Sequence, residues 1–387
     1  MGYLLQNSVL FEAAPAELTA HRRSLKALTG IRILAALYVV IYHSRLSAML
    51  LDHGHVLSAR FFGKGYFAVP VFFILSGFIL AYTYEGQIED SGDHRRFWEA
   101  RFARIWPAYA LSLVAYALVD RTMPNFGTSL ATLFMVQAWN PFNLKMAGAG
   151  NFVCWSLSTE AFFYLVFPWF QTWVERRFPR TQVLMLVLML VACVALNSGA
   201  RILGYAPTGI FRWIPFPLIH LGEFFAGVCM GNLFLLQLTA RATDATKVLP
   251  GSGLWTYVSL VFRVALLATP ENRWSSLAVV PLCALIYGLA AERTGLSAFL
   301  STRIMLLAGG ISYSVYLFQL SVKEFTLKVA DLLGTGSAVM RMIAVVPLLL
   351  VLAYIVFRFV EEPARRRIRR FFTAREQARI KLPAARV

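Results

Sequence analysis

Charged residues are scarce in this chain, and acidic residues are the scarcest. Of its 387 residues, 15% are charged, against roughly 25% in an ordinary soluble domain. The hydrophobic share is 58% and the mean hydropathy is +0.61. A soluble fold of this size could not keep so much apolar surface from water, because its rim must be polar. The composition therefore excludes a soluble enzyme and a disordered chain, and it predicts a polytopic helical membrane protein.

Cysteine is also rare, and bases outnumber acids. The four cysteines are scattered through apolar stretches without the spacing of metal ligands, so we predict reduced core residues and no metal site. The formal net charge of +17 would suggest nucleic acid in a soluble protein. Here the bases lie between apolar blocks, where they set topology and contact anionic headgroups. We therefore predict membrane lipids, and not nucleic acid, as partners.

Apolar runs long enough to cross a bilayer recur along the chain. Since a transmembrane helix needs about 20 such residues, we predict an all-α bundle of about ten spans, at 31–51, 66–84, 104–119, 155–174, 181–198, 214–236, 254–268, 274–290, 304–322 and 338–358. Segment 128–142 is too short for a crossing, so we predict a re-entrant or interfacial segment there. Lys and Arg are more frequent in the loops that would lie on the same side of the membrane as the N-terminus. This bias predicts that both termini are cytoplasmic.

Two basic residues mark the first predicted span. Arg32 and His43 are eleven residues apart, so in a helix they share one face, about 16 Å apart along the axis. A ligand with an anionic head and a long thin arm could bind Arg32 and bring its reactive end to His43. The alternatives are a topology-setting arginine and a histidine that makes only structural hydrogen bonds.

Two arginines lead into the third predicted span. Arg101 and Arg104 are three residues apart and share a helix face. Their guanidinium groups could clamp a phosphorylated ligand. Anchoring at the membrane surface explains them equally well.

A carboxylate lies inside the fourth predicted span. Glu160 is about five residues into the apolar block, at a depth similar to that predicted for His43. It could hold the imidazole in one tautomer and raise its basicity. A structural hydrogen bond within the bundle is the alternative.

Small and polar residues interrupt several spans, where they could line a cavity or bond between helices. Ser312, Tyr316 and Gln319 are spaced by four and three residues, so they share a helix face. The positions that we predict to line a substrate cavity are Ser76, Ser156, Ser158, Tyr313, Tyr316 and Gln319.

Taken in order, these segments resemble the acyltransferase-3 family of integral membrane acyltransferases. The segments that match its motifs are Arg32 with His43, Gly65–Phe78, Arg101–Pro107, Trp155–Glu160, Ser312–Leu317 and Glu361–Pro363. Many members of the family carry a histidine where this chain has Gln319. Glutamine cannot shuttle protons at neutral pH. If that histidine transfers protons in other members, this protein works without that step or uses another acceptor.

The resemblance implies an enzyme that moves an acyl group, most often acetyl, from cytoplasmic acyl-CoA to a sugar hydroxyl of a cell-surface or exported glycan. It implies that Arg32, Arg101 and Arg104 bind CoA phosphates. His43 would be the general base or would carry the acyl group, and Glu160 would orient it. Acyl-CoA would be a co-substrate, with no bound cofactor.

The resemblance also implies a place and a division of the chain. The place is the cell inner membrane, which the chain would cross many times. The division is a cytoplasmic segment at 1–27, a transmembrane acyltransferase domain at 28–360 and a basic cytoplasmic tail at 361–387.

Two other functions stay open on the sequence. A transporter or flippase that moves a glycolipid or an acyl donor would use His43 and Glu160 as a proton relay and form no covalent product. A structural subunit of a glycan-export complex would tolerate substitution of both residues.

Overall fold

Helices make up almost the whole of the described structure. The computed structural model describes residues 25–44, 46–121, 124–202, 214–243, 253–270, 275–332, 334 and 338–367, and these ranges contain no β-strand. The helices are α1 (Lys26–His43), α2 (Leu46–Asp52), α3 (Val56–Phe62), α4 (Val69–Tyr84), α5 (Ser91–Asp120), α6 (Phe126–Leu133), α7 (Leu144–Ala147), α8 (Trp155–Glu175), α9 (Pro179–Ile202), α10 (Phe216–Ile219), α11 (Leu221–Thr243), α12 (Leu254–Ala268), α13 (Val279–Ala291), α14 (Gly295–Leu300), α15 (Arg303–Leu332) and α16 (Ala338–Val356). Most of the predicted segments 1–27 and 361–387 lies outside the described residues.

Each of the ten predicted spans corresponds to a helix. Within the described ranges, seven helical segments are long and apolar enough to cross a membrane. The other three predicted spans correspond to α8 and to the shorter apolar helices α12 and α13. The chain is therefore an all-α polytopic membrane bundle. The side of the membrane on which the termini lie stays a prediction.

The first span ends earlier than predicted. We expected it to run from 31 to 51, but α1 ends at His43 with Ser44 as its C-cap residue. His43 therefore lies at the end of the helix and not inside it. Arg32 lies in the second turn of the same helix, close to its other end.

Segment 128–142 is a short helix followed by a loop. α6 ends at Leu133, and Met135 adopts a left-handed conformation with a φ of 59°. The loop then returns to α8, where the amide of Ala138 donates to Ser158 Oγ at 3.1 Å. The position of this segment relative to the membrane stays a prediction.

Glycines permit the most extensive helix contact, which joins α4 and α11. A Cβ atom at Gly77 would lie 2.1 Å from the carbonyl oxygen of Phe224, and one at Gly227 would lie 2.2 Å from that of Ile74. Small residues of this kind let helix backbones approach each other in membranes. The contact fixes the position of α4, which carries Ser76.

Replacing Gly77 with alanine should destabilise the bundle. The added methyl group has no room beside the Phe224 backbone, and overpacking of this kind costs about 1–3 kcal/mol. Thermal unfolding in detergent measures the loss as a lower midpoint. Gly127→Ala is the matched control, because its Cβ would lie no closer than 3.8 Å to another group. Equal unfolding midpoints for the two variants would contradict the close packing of α4 against α11 at Gly77.

Helix α15 organises the half of the bundle that carries the candidate site. It packs against α1, α5 and α16, and Gly309 lets it approach α1, since a Cβ there would lie 2.1 Å from the Thr29 carbonyl oxygen. Beyond Val356 the last helix continues through a π-helical turn at Phe357–Glu361 and on to residue 367. Together with α4 and α8, these helices enclose a cavity.

Candidate active site

A cavity of about 710 Å³ lies between α1, α4, α5, α8, α15 and the end of α16. Its volume is within the range of sites that enclose a small organic ligand, roughly 300–1,000 Å³. Its charged lining consists of Arg32, Arg101, Arg104, Arg303, Arg358, Arg365, Glu160, Glu361 and Glu362. Because arginines outnumber carboxylates two to one in this lining, the cavity favours an anionic ligand.

The three arginines that we predicted to bind phosphates all line this cavity. Within the described residues, Arg32 and Arg104 have no hydrogen-bond or ion-pair partner. Arg101 donates to the Tyr84 hydroxyl at 3.2 Å, while its buried Nε atom has no partner there. Unpaired guanidinium groups away from water are costly. Such a cluster is suited to oxyanions that accept several charge-assisted hydrogen bonds.

The carboxylates at the end of α16 are engaged elsewhere. Glu362 accepts from Arg358 at 3.0 Å and also from Arg366. Glu361 accepts from the Ser314 hydroxyl. Within the described residues neither carboxylate forms a hydrogen bond or a close ion pair with Arg32 or Arg104, although Glu361 lies near enough to both arginines to attract them. Their guanidinium groups therefore keep hydrogen-bond donors for a ligand.

Glu160 lies in the cavity wall and bonds to two hydroxyl groups. Its Oε1 atom accepts from Ser76 Oγ at 2.9 Å and from the Tyr164 hydroxyl, and those two hydroxyls are 3.1 Å apart. The structure thus brings the predicted residues Ser76 and Glu160 together on one surface of the cavity. Glu160 can hold a hydroxyl network there.

The expected pairing of His43 with Glu160 is wrong in this structure. His43 Nδ1 lies 3.0 Å from Gln319 Oε1, and Gln319 Nε2 donates to the Tyr316 carbonyl oxygen at 2.8 Å. The carboxylate of Glu160 instead accepts from the Ser76 and Tyr164 hydroxyls. Since the amide NH₂ group is committed to Tyr316, its oxygen faces His43 and favours a proton on Nδ1. The Nε2 atom is then available as a base.

Tyr316 connects the cavity to the His43 region. Its side chain lines the cavity, and its carbonyl oxygen holds the amide that binds His43. The Tyr316 and Ser156 hydroxyls share a hydrogen bond of 2.7 Å. Neither His43 nor Gln319 belongs to the described lining of the cavity. Tyr316 therefore lies between the arginine-lined cavity and the Gln319 amide that contacts His43.

Two other predicted cavity residues have different surroundings. Tyr313 lines the cavity and donates to the Ile105 carbonyl oxygen at 2.9 Å, which ties α15 to α5. Ser158 faces away from the cavity lining and accepts from the Ala138 amide at 3.1 Å, so it supports the loop after α6.

If His43 is the base that the sequence resemblance implies, replacing Gln319 with leucine should lower kcat about tenfold and leave KM for the ligand of the arginine-lined cavity unchanged. The variant removes the acceptor that fixes the imidazole tautomer, and a misplaced base slows proton transfer without touching ligand binding. Gln319→His should restore part of the rate, because an imidazole nitrogen can also accept from His43. Steady-state kinetics of both variants test this. Equal losses in the two variants would show that Gln319 only fills space.

Several residues of interest escaped the sequence analysis. Arg303 and Arg358 line the cavity from the ends of α15 and α16, but they look like ordinary topology-setting charges in the sequence. His220 and Glu223 form a buried pair, with Nδ1 and Oε2 3.0 Å apart. Their i, i+3 spacing in an apolar block was the available signal, since ionisable groups inside spans require an explanation.

The fold and the cavity define a multipass membrane protein with an arginine-rich site for an anionic ligand. The chain belongs to the acyltransferase-3 family, whose acyltransferase domain matches residues 25–358. It is 28% identical to the acyltransferase MdmB of Streptomyces mycarofaciens, over 88% of this chain and 92% of that protein. It is 24% identical to the O-acetyltransferase OatA of Staphylococcus aureus, over 89% of this chain and 58% of that protein.

A third relative covers less of the chain. The putative peptidoglycan O-acetyltransferase YrhL of Bacillus subtilis is 30% identical over 39% of this chain and 24% of that protein. No solved structure matches the fold. The family and its relatives identify the protein as a membrane acyltransferase.

Proposed function

We propose that the protein transfers an acyl group, typically acetyl, from acyl-CoA to a sugar hydroxyl of a cell-surface or exported glycan. The observation that carries the proposal is the cavity lined by Arg32 and Arg104, which have no partner within the described residues. The phosphates of CoA match guanidinium donors of this kind. The names of OatA and YrhL, both O-acetyltransferases, support a hydroxyl acceptor and favour an enzyme over a transporter.

The donor would lie along the cavity with its nucleotide at the arginine end. Arg32, Arg101 and Arg104 would hold its phosphates, and the thin pantetheine arm would extend towards Tyr316. Arg32 and His43 are eleven residues apart on α1, about 16 Å along the helix axis, which a pantetheine arm can span. We place the arginine end at the cytoplasmic face of the cell inner membrane, in keeping with the distribution of Lys and Arg.

The transfer itself would use His43 as a general base. Its Nε2 atom takes the proton of the acceptor hydroxyl, and the oxygen attacks the thioester carbonyl carbon. The carbon–sulfur bond breaks, the ester forms, and the CoA thiolate takes the proton from the imidazolium. A transient acyl-imidazole would use the same nitrogen.

Release of CoA tests the proposal. Purified protein in lipid vesicles is incubated with acetyl-CoA and glycan oligosaccharides, thiol release is followed, and mass spectrometry detects the acetylated sugar. We expect release that depends on the protein and increases with acceptor. If acetyl-CoA and longer acyl-CoAs stay intact with every acceptor, the acyl-CoA proposal fails. Movement of glycolipid under a proton gradient would then favour a transporter.

A further inference from the structure

A second cavity, of about 340 Å³, lies at the His43 end of the bundle. Tyr66 lines this cavity, and its ring centroid is 5.7 Å from that of Tyr42, the residue before His43. The cavity is formed by residues at the start of α4, α8, α11 and α13, together with side chains of α9 and α12.

Its most unusual polar feature is the buried pair of His220 and Glu223. The two side chains are joined by a 3.0 Å contact, and the residues are only 9% and 2% exposed. The carboxylate engages Nδ1, so Nε2 is the ring atom left for a ligand, and it has no partner among the described residues. A carboxylate held in this way fixes the imidazole orientation.

Two further polar groups face the same space. Arg263 of α12 is buried, and it donates to the carbonyl oxygens of Ala278 at 2.5 Å and Phe67 at 2.8 Å. Ser276 is 5% exposed, and its hydroxyl has no hydrogen-bond partner within the described structure. A buried hydroxyl without a partner is costly. Because Ser276 lines the cavity, rotation about its χ1 angle would turn the hydroxyl towards a ligand hydroxyl and supply the missing hydrogen bond.

Aromatic rings beside His220 form an apolar part of the lining. The Trp155 ring centroid lies 5.4 Å from that of His220 and 5.5 Å from that of Phe216. The lining thus combines flat rings with hydrogen-bonding groups. Within the described lining, Arg263 and Glu223 balance each other in charge, in contrast to the arginine excess of the first cavity.

We infer that the second cavity binds a neutral pyranose ring of the acceptor, an assignment that rests on the proposed function for its choice of a sugar. One face of such a ring is apolar and suits Trp155 and Phe216. Its hydroxyls suit His220 Nε2 and Ser276 Oγ. A phosphorylated donor would find no excess of positive charge in this lining. In this assignment His220 binds the sugar, and His43 remains the proposed general base.

The two cavities share a wall, which places acceptor and donor side by side. Val69 lines both cavities. Phe73 lines the first, and its ring centroid is 5.5 Å from that of His220. Trp155 of the second cavity is followed by Ser156 of the first. A sugar in the second cavity would therefore lie next to the Ser156–Tyr316 contact, while His43 lies outside the described lining of both cavities.

Saturation-transfer NMR tests the assignment on the full protein in lipid nanodiscs. The probes are the methyl pyranosides of glucose, galactose, rhamnose and N-acetylglucosamine. We expect at least one to bind, and we expect excess CoA to leave its signal unchanged because the sites are separate. Ser276→Ala should weaken binding about two- to tenfold, the effect of one hydrogen bond. His220→Ala should weaken it at least as much.

The controls separate binding from folding. Ser276→Ala removes a hydroxyl with no partner within the described structure, so it should fold normally even if His220→Ala does not. His53→Ala changes an exposed histidine on the loop after α2 and should leave binding intact. The assignment is overturned if no pyranoside binds, if CoA displaces the sugar, or if Ser276→Ala binds as tightly as the wild type. Sugar binding in a protein that never releases CoA would remove the acyl-CoA proposal and keep the cavity assignment.

Discussion

Replacing His43 with alanine is expected to slow acyl transfer by about 10²- to 10⁴-fold, the contribution of a positioned general base. The variant removes the nitrogen that takes the hydroxyl proton. Because His43 lies outside the described lining of the arginine cavity, the affinity for the acyl donor should stay the same. Initial rates of thiol release and of ester formation measure the first effect, and equilibrium binding of acetyl-CoA measures the second.

A matched histidine variant and a stability measurement complete this test. His53→Ala changes an exposed ring that contacts only the backbone of its own turn, and it should retain the wild-type rate. His43→Ala gives up the hydrogen bonds of the ring with Gln319 and with the Val39 backbone. Each contributes about 0.5–1.5 kcal/mol, so the unfolding midpoint should fall only slightly. Full activity in a well-folded His43→Ala protein would remove His43 from the chemistry.

Replacing Arg104 with glutamine is expected to weaken binding of acyl-CoA about ten- to hundredfold. The reason is that a charge-assisted hydrogen bond contributes about 1.5–3 kcal/mol. Arg32→Gln should weaken acyl-CoA binding by a similar factor. Within the described residues neither arginine has an ion pair to lose. Both variants should therefore fold, and the removal of one positive charge from a crowded cluster should not destabilise them. Calorimetric titration with acetyl-CoA measures the change.

An arginine on the same helix provides the control for this loss. Arg95 lies on α5 like Arg104, but it is exposed and paired with Glu99 at 2.8 Å. Arg95→Gln should leave the dissociation constant unchanged. Added salt should weaken donor binding in the wild type more than in Arg104→Gln, since screening acts on the charge that the variant lacks. Wild-type affinity in both Arg32→Gln and Arg104→Gln would contradict the placement of the donor.

Hydropathy was sufficient to predict where the helices lie. Each predicted span overlaps a helix, because the bilayer requires long apolar segments with internally bonded backbones, although the first helix ends at His43 and not at residue 51. Even the span at 254–268 is a helix, although it contains Arg263. The structure shows how that arginine is accommodated, since backbone carbonyl groups of Phe67 and Ala278 accept from it.

The composition of the site was predictable in part. Helical spacing placed Arg101 and Arg104 on one face, and both line the cavity. The same rule placed Arg32 and His43 on one face, but only Arg32 belongs to the described lining. Spacing fixes the relative direction of side chains on one helix, and it carries no information about how far that helix extends or which neighbour it meets.

The partners of the charged groups could not be predicted from the sequence. Similar depth suggested that Glu160 would hold His43, but a glutamine on α15 does so, and Glu160 bonds to Ser76 and Tyr164. Glu361 was assigned to the start of a basic tail. A π-helical turn carries it into the cavity wall, and such turns often occur at functional sites.

The most direct test of the account compares two acyl donors. Its central claim is that unpaired arginines recognise the phosphates of acyl-CoA in the first cavity. Equilibrium binding to the wild-type protein in nanodiscs is measured for acetyl-CoA and for acetyl-pantetheine, which has the same thioester and arm but no phosphates. We predict that acetyl-CoA binds at least about 100-fold more tightly, the effect of two or more charge-assisted hydrogen bonds. Equal affinity for the two compounds, or no binding of acetyl-CoA, would contradict the claim.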